Sequence, residues 1–373
     1  MPTVPTMKTN DIARASASAP APRPGLDSAS PRGARPSLGA RALRGLAFDR
    51  IGAVYVWLGI VVVFSIWVPH TFPTLATAKQ ILNANAITAL AALSITIPLA
   101  ARVFDLSFAY AMTLTGVVAA HFISAGVPLV PALLIAVAVG VTVGFVNAIV
   151  VVVFRIDSFI GTLATGSLIT SLITMATGDT AILSPRLAGP FAKIGQTTIG
   201  GLTLPVIYAL VVAFAMWFLL EHTATGRRLY ATGFNPDAAK LAGVRVNRLR
   251  FVSLIASGTL AGASGIVLAS TISSGSPTAG TPYLLPAFAA AFLGATQLKH
   301  GRFNAWGTLI AVLLLGTGTT GLGLANAPQW AADMFVGVVL IASLAVTGIQ
   351  RRASGGGDGR VVLIWRKLRA ATG

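Results

Sequence analysis

The residues that could carry chemistry in this sequence are few and scattered. The chain contains no cysteine, which excludes disulfides, cysteine-ligated zinc and a thiol nucleophile. Its four histidines do not fall at the spacing of metal ligands. The sequence holds neither a G-x-x-x-x-G-K-[ST] phosphate loop nor a G-x-S-x-G nucleophile motif. These observations predict a protein that is not an enzyme, binds no metal and does not hydrolyse ATP itself.

The polar residues beside apolar stretches are the next candidates. Asp105 either lies at a helix break and orients polar groups there, or caps a helix that starts at Leu106, with Ser107 helping to satisfy free backbone N–H groups. In the preceding stretch, three polar residues fall roughly on one helical face, namely Asn85, Thr88 and Thr96. Such a face can line a polar pathway, or it can hydrogen-bond to neighbouring helices. Both interpretations stay open for each group.

The most polar internal segment, residues 221–249, contains a pattern typical of a short capped helix. Asn235 is a favourable N-cap, Pro236 suits the first helical position, and Asp237 is favourable in the first turn. The pattern predicts a helix from Pro236 to Ala242, with Gly243 as its stop. One side would carry small residues, Ala238, Ala239 and Ala242. Such a helix suits docking into a groove on another protein, and the alternative is an ordinary solvated loop.

The elements that must position these residues are long apolar segments. A bilayer core of about 30 Å requires about 20 apolar residues as a helix. Ten stretches qualify or nearly qualify: 52–68, 81–101, 105–125, 129–154, 158–177, 202–220, 250–271, 285–296, 304–324 and 330–349. The first is short, and 285–296 is shorter still, so that it either spans or forms a half-helix or re-entrant segment.

Composition and charge place these stretches in a membrane. Hydrophobic residues make up 55% of the 373 residues and charged residues only 10%, whereas soluble domains carry about 25% charged residues. We therefore expect an all-α polytopic membrane protein with about ten transmembrane helices. If all ten cross, only Lys79, Arg186 and Lys193 of the 27 Lys and Arg residues lie outside. The positive-inside rule then predicts that both termini are cytoplasmic.

The charged ends complete the predicted organisation. The net charge of +17 comes without a nucleic-acid recognition motif, so the expected partner is membrane lipid and not nucleic acid. We interpret 1–50 as a disordered basic cytoplasmic tail, 51–350 as the transmembrane domain and 351–373 as a second basic cytoplasmic tail. Within the last, residues 361–365 are apolar and precede basic residues, which fits either an interfacial anchor or a disordered tail.

At this point the sequence resembles a known family. Residues Thr225 to Val244 are similar to the coupling loop of ribose-type ABC importer permeases, in the branched-chain amino acid/sugar permease superfamily. Asp105-Leu106-Ser107 resembles the family's Gly-Ile-Asp-Leu-Ser motif, and Phe159-Ile160-x-Thr162-Leu163 also matches. The resemblance covers roughly residues 50–350. It implies pathway roles for Asp105, Ser107, Phe159 and Thr162, which join Asn85, Thr88 and Thr96, the pathway candidates already given by their shared helical face. It implies ATPase coupling for Gly226, Arg227, Tyr230, Gly233, Asn235, Pro236, Ala238, Ala239, Leu241 and Gly243.

The sequence departs from the family pattern near the presumed pathway. Val103-Phe104 replaces the Gly-Ile before the aspartate, and Phe108-Ala109 replaces the usual Val-Gly after the serine. His300 stands where glycine is common, and Thr320 stands where asparagine is usual. All of these departures leave the coupling loop intact, and two of them change bulk or polarity near the presumed pathway.

The resemblance implies a function and a set of partners. We expect the membrane-spanning permease subunit of a bacterial ABC importer, multi-pass in the cytoplasmic (inner) membrane, that carries a monosaccharide or similar small polar solute. A second permease copy or paralogue, separate ATPase subunits and an extracytoplasmic solute-binding protein would complete the assembly. The chain itself would hold no cofactor, since ATP is bound by the partner subunits. The alternative is a stand-alone secondary carrier or channel.

Overall fold

A computed structural model describes residues 48–298 and 301–354 of the chain. Most of the two predicted basic tails, and His300, lie outside the described residues. The helices run in chain order: α1 Phe48–Trp67, α2 Leu75–Ala100, α3 Phe108–Ser124, α4 Leu129–Ala148, α5 Ser158–Thr177, α6 Pro190–Gln196, α7 Leu204–Trp217, α8 Ala224–Phe234, α9 Pro236–Leu241, α10 Val246–Ile272, α11 Leu284–Leu298, α12 Ala305–Leu324 and α13 Gln329–Ser354. Single π-helical turns extend α4 to Val153 and α7 to His222.

Each of the ten predicted apolar stretches coincides with a helix. In the part of the chain that the structure describes, six helical segments are long and apolar enough to cross a membrane: Leu75–Ala100, Leu129–Val153, Ser158–Thr177, Leu204–His222, Val246–Ile272 and Ala305–Leu324. Four shorter apolar helices accompany them: Tyr55–Trp67, Phe108–Ser124, Thr281–Thr296 and Gln329–Ala342. The chain is therefore an all-α, multi-pass membrane protein, as the composition predicted.

Helix α10 lies at the centre of the bundle, where it packs against α2, α3 and α4. Its crossing with α4 is close because glycines face each other there. A Cβ added at Gly144 would lie 2.6 Å from the Leu254 carbonyl oxygen, and one added at Gly258 would lie 2.6 Å from the Gly140 carbonyl oxygen. Glycine thus allows the two backbones to touch, which is the usual means of tight helix packing in a membrane.

The long segment between α5 and α7 has structure of its own. It contains α6 and a small antiparallel hairpin, formed by β1 Thr198–Ile199 and β2 Leu202–Thr203. The Asn83 side chain attaches this hairpin to α2. Its Oδ1 accepts hydrogen bonds from the Thr203 backbone N–H at 2.9 Å and the Thr203 hydroxyl at 3.2 Å, and its Nδ2 donates to the Gly201 carbonyl at 3.1 Å.

Some predicted boundaries were wrong. Helix α3 begins at Phe108 and not at Leu106, because residues 101–107 are held by contacts to other helices. Residues 48–50 and 351–354, assigned to the tails, are helical. Helix α10 begins at Val246, and α8 and α9 fill most of the segment 221–249, which is consequently more helical than the predicted loop.

Candidate functional site

Two neighbouring regions contain most of the predicted functional residues. The first is the polar break, defined as residues 101–107 between α2 and α3. Pro98 lies in the last turn of α2, and Arg102 has a φ of 60°, in the left-handed region that non-glycine residues seldom occupy. The chain therefore leaves the helix and runs without regular structure through the bundle before α3 begins.

Side chains satisfy the backbone of the polar break. Asp105 Oδ1 accepts hydrogen bonds from the Ser107 backbone N–H at 3.0 Å and the Ser107 hydroxyl at 2.7 Å. The Thr162 hydroxyl on α5 accepts from the Leu106 N–H at 2.9 Å, and the Asn147 amide on α4 donates to the Ser107 hydroxyl oxygen. Asp105, Ser107, Thr162 and Asn147 are all fully buried. Asp105 thus turns the chain into α3, while α4 and α5 fix the position of that turn.

Three polar atoms in this region remain without a hydrogen-bond partner among the described residues: Asp105 Oδ2, Asn147 Oδ1 and Ser257 Oγ. The Ser257 hydroxyl, on α10, faces the Asp105 carboxylate as a hydrogen-bond donor, so these two groups can satisfy each other. The other five Ser and Thr hydroxyls of α10 donate to a carbonyl one turn earlier in the helix, whereas that of Ser257 does not. Buried polar groups are costly unless they are hydrogen-bonded, so Asn147 Oδ1 is the acceptor of this cluster that has unused capacity for a polar partner.

Aromatic rings surround the polar break. Phe104 meets Phe159 edge to face and stacks with Phe292 of α11, each with ring centroids 6.3 Å apart. Phe108 meets Phe288 of α11 at 5.8 Å. Phe104 and Phe108 are two of the positions that depart from the family pattern, and both departures bring an aromatic ring against α11. The four-residue spacing of Phe288 and Phe292 was the available sequence signal for this cluster.

The predicted pathway residues of α2 lie elsewhere. The Thr96 hydroxyl is 3.3 Å from that of Thr308 on α12. Asn85 donates to the Ile81 carbonyl at 2.8 Å and packs against Gly316 of α12, and Thr88 is half-buried. Within the described residues, no hydrogen bond connects these three side chains to the Asp105 cluster. The structure therefore separates the predicted pathway residues into two groups.

The second region, the coupling segment, is residues 221–249, whose helices α8 and α9 are both capped as their sequences favour. The Thr223 hydroxyl accepts from the Gly226 N–H at 3.1 Å at the start of α8. Asn235 Oδ1 accepts from the backbone N–H groups of Asp237 and Ala238, each at 3.1 Å. The predicted cap and helix are confirmed, except that α9 ends at Leu241. Gly243 follows with a φ of 79°, which suits glycine.

One side of α8 is seated against the transmembrane helices. A Cβ at Gly233 would collide with the Ala100 carbonyl oxygen at the end of α2, and one at Gly226 would collide with the carbonyls of Leu219 and Leu220. The Tyr230 hydroxyl donates to the Phe303 carbonyl at 2.7 Å, just before α12. These contacts fix α8 to the end of α2, which leads into the polar break, and also to the end of α7 and the start of α12.

Tyr230 also lies against a charged neighbour. The Arg302 guanidinium is 5.6 Å from the centre of the Tyr230 ring, in a cation–π arrangement. Burial, with a smaller contribution from Glu221, raises the pKa of Tyr230 to about 12. The phenol is consequently neutral at physiological pH and remains a hydrogen-bond donor to Phe303.

The other side of the coupling segment is exposed. Leu241 is 91% exposed and Phe234 is 83% exposed, although both are large apolar side chains. The predicted coupling residues therefore divide into two sets. One set is buried or half-buried against the rest of the chain: Gly226, Tyr230, Gly233 and Ala239. Pro236 is half-buried, and the remaining ones are exposed: Arg227, Asn235, Ala238, Leu241 and Gly243. Phe234 was missed, although an aromatic residue in so polar a segment was a usable signal.

Comparison with known proteins identifies the family. Residues 77–344 match the family described as branched-chain amino acid transport system / permease component. A ribose import permease protein of Escherichia coli (strain K12) is 32% identical over 291 residues, which cover 78% of this chain and 90% of that protein. An L-arabinose ABC transporter permease protein of Azospirillum brasilense is 30% identical over 306 residues, covering 81% and 89%. No solved structure gives a significant match.

The chain belongs to this family of transport permeases. A D-allose transport system permease protein of Escherichia coli (strain K12) is a further relative, 28% identical over 302 residues that cover 81% of this chain and 92% of that protein. The resemblance to sugar importer permeases is thus confirmed, and its extent agrees with the residues 50–350 that carry the motifs.

Proposed function

We propose that this chain is the membrane-spanning permease subunit of an ABC importer for a monosaccharide or a similarly small polar solute. The relatives named for ribose, allose and arabinose transport support the substrate class. The observation that carries the coupling role is the pair of exposed apolar side chains, Phe234 and Leu241, on helices seated against the transmembrane bundle. Large apolar groups exposed in a polar segment are typical of a protein-binding surface.

The proposed arrangement follows from charge and helix count. Ten helices cross the bacterial inner membrane, both termini are cytoplasmic, and the coupling segment faces the cytoplasm. Separate ATPase subunits dock there, a second permease copy or paralogue completes the pathway, and an extracytoplasmic binding protein delivers the solute. The chain is a transport subunit, and ATP binds to its partners.

The mechanism is alternating access, driven through the rigid contact of α8 with the transmembrane helices. When the ATPase pair closes, it moves α8 and α9, whose outer side it contacts at Phe234 and Leu241. Because Gly233 lies directly against the Ala100 carbonyl, that movement displaces the end of α2 and the polar break that follows. The unpaired Asn147 Oδ1, beside the Asp105 carboxylate and the Ser257 hydroxyl, then becomes available to a hydroxyl group of a passing solute.

The polar break supports a polar, sugar-like cargo. A hydroxyl group of the solute would satisfy the buried Asn147 Oδ1, which has no hydrogen-bond partner among the described residues. The rings of Phe104 and Phe159 would offer apolar surface to the carbon skeleton. Tight binding would slow release, so the pathway is expected to bind the solute weakly.

The coupling proposal is tested by replacing the two exposed apolar side chains, Phe234 and Leu241, called the tips of the coupling segment. The tagged permease is purified from native membranes as Phe234→Ser/Leu241→Ser and as Leu183→Ser. Leu183 is 76% exposed and lies in the segment proposed to be extracytoplasmic, so it is a matched control. We expect a co-purifying ATPase with the wild type and with Leu183→Ser, and its loss with the double variant.

Two outcomes would contradict this function. Equal ATPase recovery from the double variant would remove Phe234 and Leu241 from the docking surface. A permease that purifies alone, in vesicles that still equilibrate solute down its gradient, would favour the carrier or channel alternative.

A further inference from the structure

A second feature of the coupling segment is a basic cavity of about 530 Å³ beside the proposed docking surface. It lies between α8, the turn after α9 and the first turns of α10. Its lining residues are Thr225, Arg228, Ala242, Gly243, Val244, Arg245, Arg248, Leu249 and Val252. Neither of the exposed apolar side chains, Phe234 and Leu241, lines this cavity.

Three arginines give the cavity a strong positive charge. Arg228 comes from α8, whereas Arg245 and Arg248 come from the start of α10. Among the described residues, none of the three forms an ion pair, and no acidic side chain lines the cavity. Guanidinium groups match phosphate oxygens in geometry as well as in charge. A phosphate group is therefore the ligand that the charged end of the cavity fits.

The opposite wall of the cavity is apolar and belongs to a membrane helix. Arg245, Arg248, Leu249 and Val252 follow helical spacing along one side of α10. Leu249 and Val252 lie within the apolar segment Val246–Ile272, and Val252 is 53% exposed. The cavity thus passes from guanidinium groups to exposed apolar surface over two helical turns, the same order as the headgroup and acyl chain of a lipid.

We propose that this cavity binds the headgroup phosphate of an anionic phospholipid in the cytoplasmic leaflet. The inference rests on the proposed orientation, in which residues 221–249 face the cytoplasm. Basic pockets at the cytoplasmic ends of membrane helices attract anionic headgroups, and long basic side chains extend from apolar surface to reach them. A lipid in this position contacts α8 and α10 together and so holds the coupling segment against the bundle.

An acidic surface of the ATPase is the competing ligand. It fits the arginines but not the apolar wall, since Val252 would gain nothing from a hydrated acidic partner. The docking tips also lie outside the lining. Lipid and ATPase are separated by measuring the purified permease alone, with no ATPase present.

The test measures thermal unfolding of the permease in detergent while lipid is added. The probes are dioleoyl phosphatidylglycerol, dioleoyl phosphatidylcholine and inorganic phosphate. The variant Arg245→Gln/Arg248→Gln is compared with Lys240→Gln/Arg155→Gln, which removes the same charge from exposed positions on the same proposed membrane face. We expect phosphatidylglycerol alone to raise the unfolding midpoint of the wild type and the control. The arginine variant should need on the order of tenfold more of it.

A second variant keeps the test informative if the arginine variant does not fold. Val252→Gln retains all three arginines and removes the apolar wall, so the response to phosphatidylglycerol should weaken there as well. An equal response of the arginine variant and the control would overturn the site. An equal effect of inorganic phosphate would mean a free-anion site and would overturn the lipid. Loss of ATPase recovery with an unchanged lipid response would assign the arginines to docking.

The outcome is independent of the proposed transport function. A chain that binds no ATPase can still respond to phosphatidylglycerol, and a coupled permease can fail to do so. Failure of the lipid site would therefore leave the coupling role of Phe234 and Leu241 in place.

Discussion

The polar break and the tips of the coupling segment depart from ordinary burial in opposite directions. In the break, Asp105, Ser107 and Thr162 are fully buried polar residues. At the tips, Phe234 and Leu241 are large apolar residues with most of their surface exposed. The two regions are adjacent, because Gly233 precedes Phe234 and touches the end of α2 just before the break.

Under the proposed function, the contrast indicates where each region would bind a partner. A buried acceptor without a donor, such as Asn147 Oδ1, is stabilised by a polar ligand, and exposed apolar side chains are stabilised by removal from water. The isolated chain therefore carries a cost in both places. A solute and an ATPase subunit would each relieve one of these costs. The rigid contact between the regions would make the two events depend on each other.

The largest expected effect comes from destroying that contact. Gly233→Leu places a side chain against the Ala100 carbonyl, which cannot move without shifting α2. Overpacking of this kind costs about 3 kcal/mol of unfolding free energy. Gly323→Leu is the control, because a Cβ there meets nothing within 4 Å. Thermal unfolding in detergent should show a large fall for Gly233→Leu alone, and equal midpoints would mean that α8 is not seated on α2.

Asp105→Ala tests the buried side of the comparison. It leaves the Ser107 N–H and hydroxyl without their acceptor, at a cost of about 2 kcal/mol. Asp105→Asn keeps an acceptor oxygen and should lose less. Phe234→Ser, on the exposed side, should leave the unfolding midpoint unchanged while lowering ATPase recovery. If Phe234→Ser destabilised the chain as much as Asp105→Ala, the distinction between the two regions would fail.

A matched pair of threonines on α5 sharpens the account of the polar break. Thr162 accepts from the Leu106 N–H, whereas Thr165 only donates to the Gly161 carbonyl within its own helix. Both are buried. Thr162→Val should lower the unfolding free energy by about 1–2 kcal/mol because a backbone donor loses its partner. Thr165→Val should have little effect, and an equal loss for both would contradict a positioning role for Thr162.

The smallest expected effect concerns the hydrogen bond that connects α8 to the start of α12. Tyr230→Phe removes the hydrogen bond to Phe303, worth about 1 kcal/mol. The pKa of Tyr230 is raised from 10.0 to about 12 in the folded chain, so folding favours the protonated phenol. This contribution is fully present below pH 10 and is lost as the pH rises towards 12. The difference between wild type and Tyr230→Phe, measured by thermal unfolding, should shrink over that interval and be constant below it.

Much of the coupling segment could be read from local pattern. Asn235, Pro236 and Gly243 predict a capped helix because each acts on backbone groups within a few residues. Local pattern did not show which side of that segment packs against the transmembrane helices and which side is exposed. Gly233 and Arg227 both match the family motif. In the structure Gly233 packs against the Ala100 carbonyl whereas Arg227 is exposed, and this difference depends on Ala100, which is far away in sequence.

The polar break shows the same limit. The sequence indicated Asp105, Ser107 and Thr162 but placed the start of α3 at Leu106, two residues early. The Leu106 N–H instead donates to Thr162, 56 residues further along the chain, so that α3 begins only at Phe108. Asn147 and Ser257 lie beside Gly144 and Gly258, at which α4 and α10 meet. The neighbouring glycines indicate close packing, but the contact of these two residues with the polar break depends on the tertiary structure.

The sequence by itself determined the class of fold, the position of the apolar helices, the helix caps and the family, because these depend on composition and on short spacing. The tertiary structure decided which polar residues share one site, which coupling residues remain exposed, and where three arginines meet an apolar wall. Those properties depend on the close approach of helices distant in sequence, and burial and charge are shared only once the helices have packed.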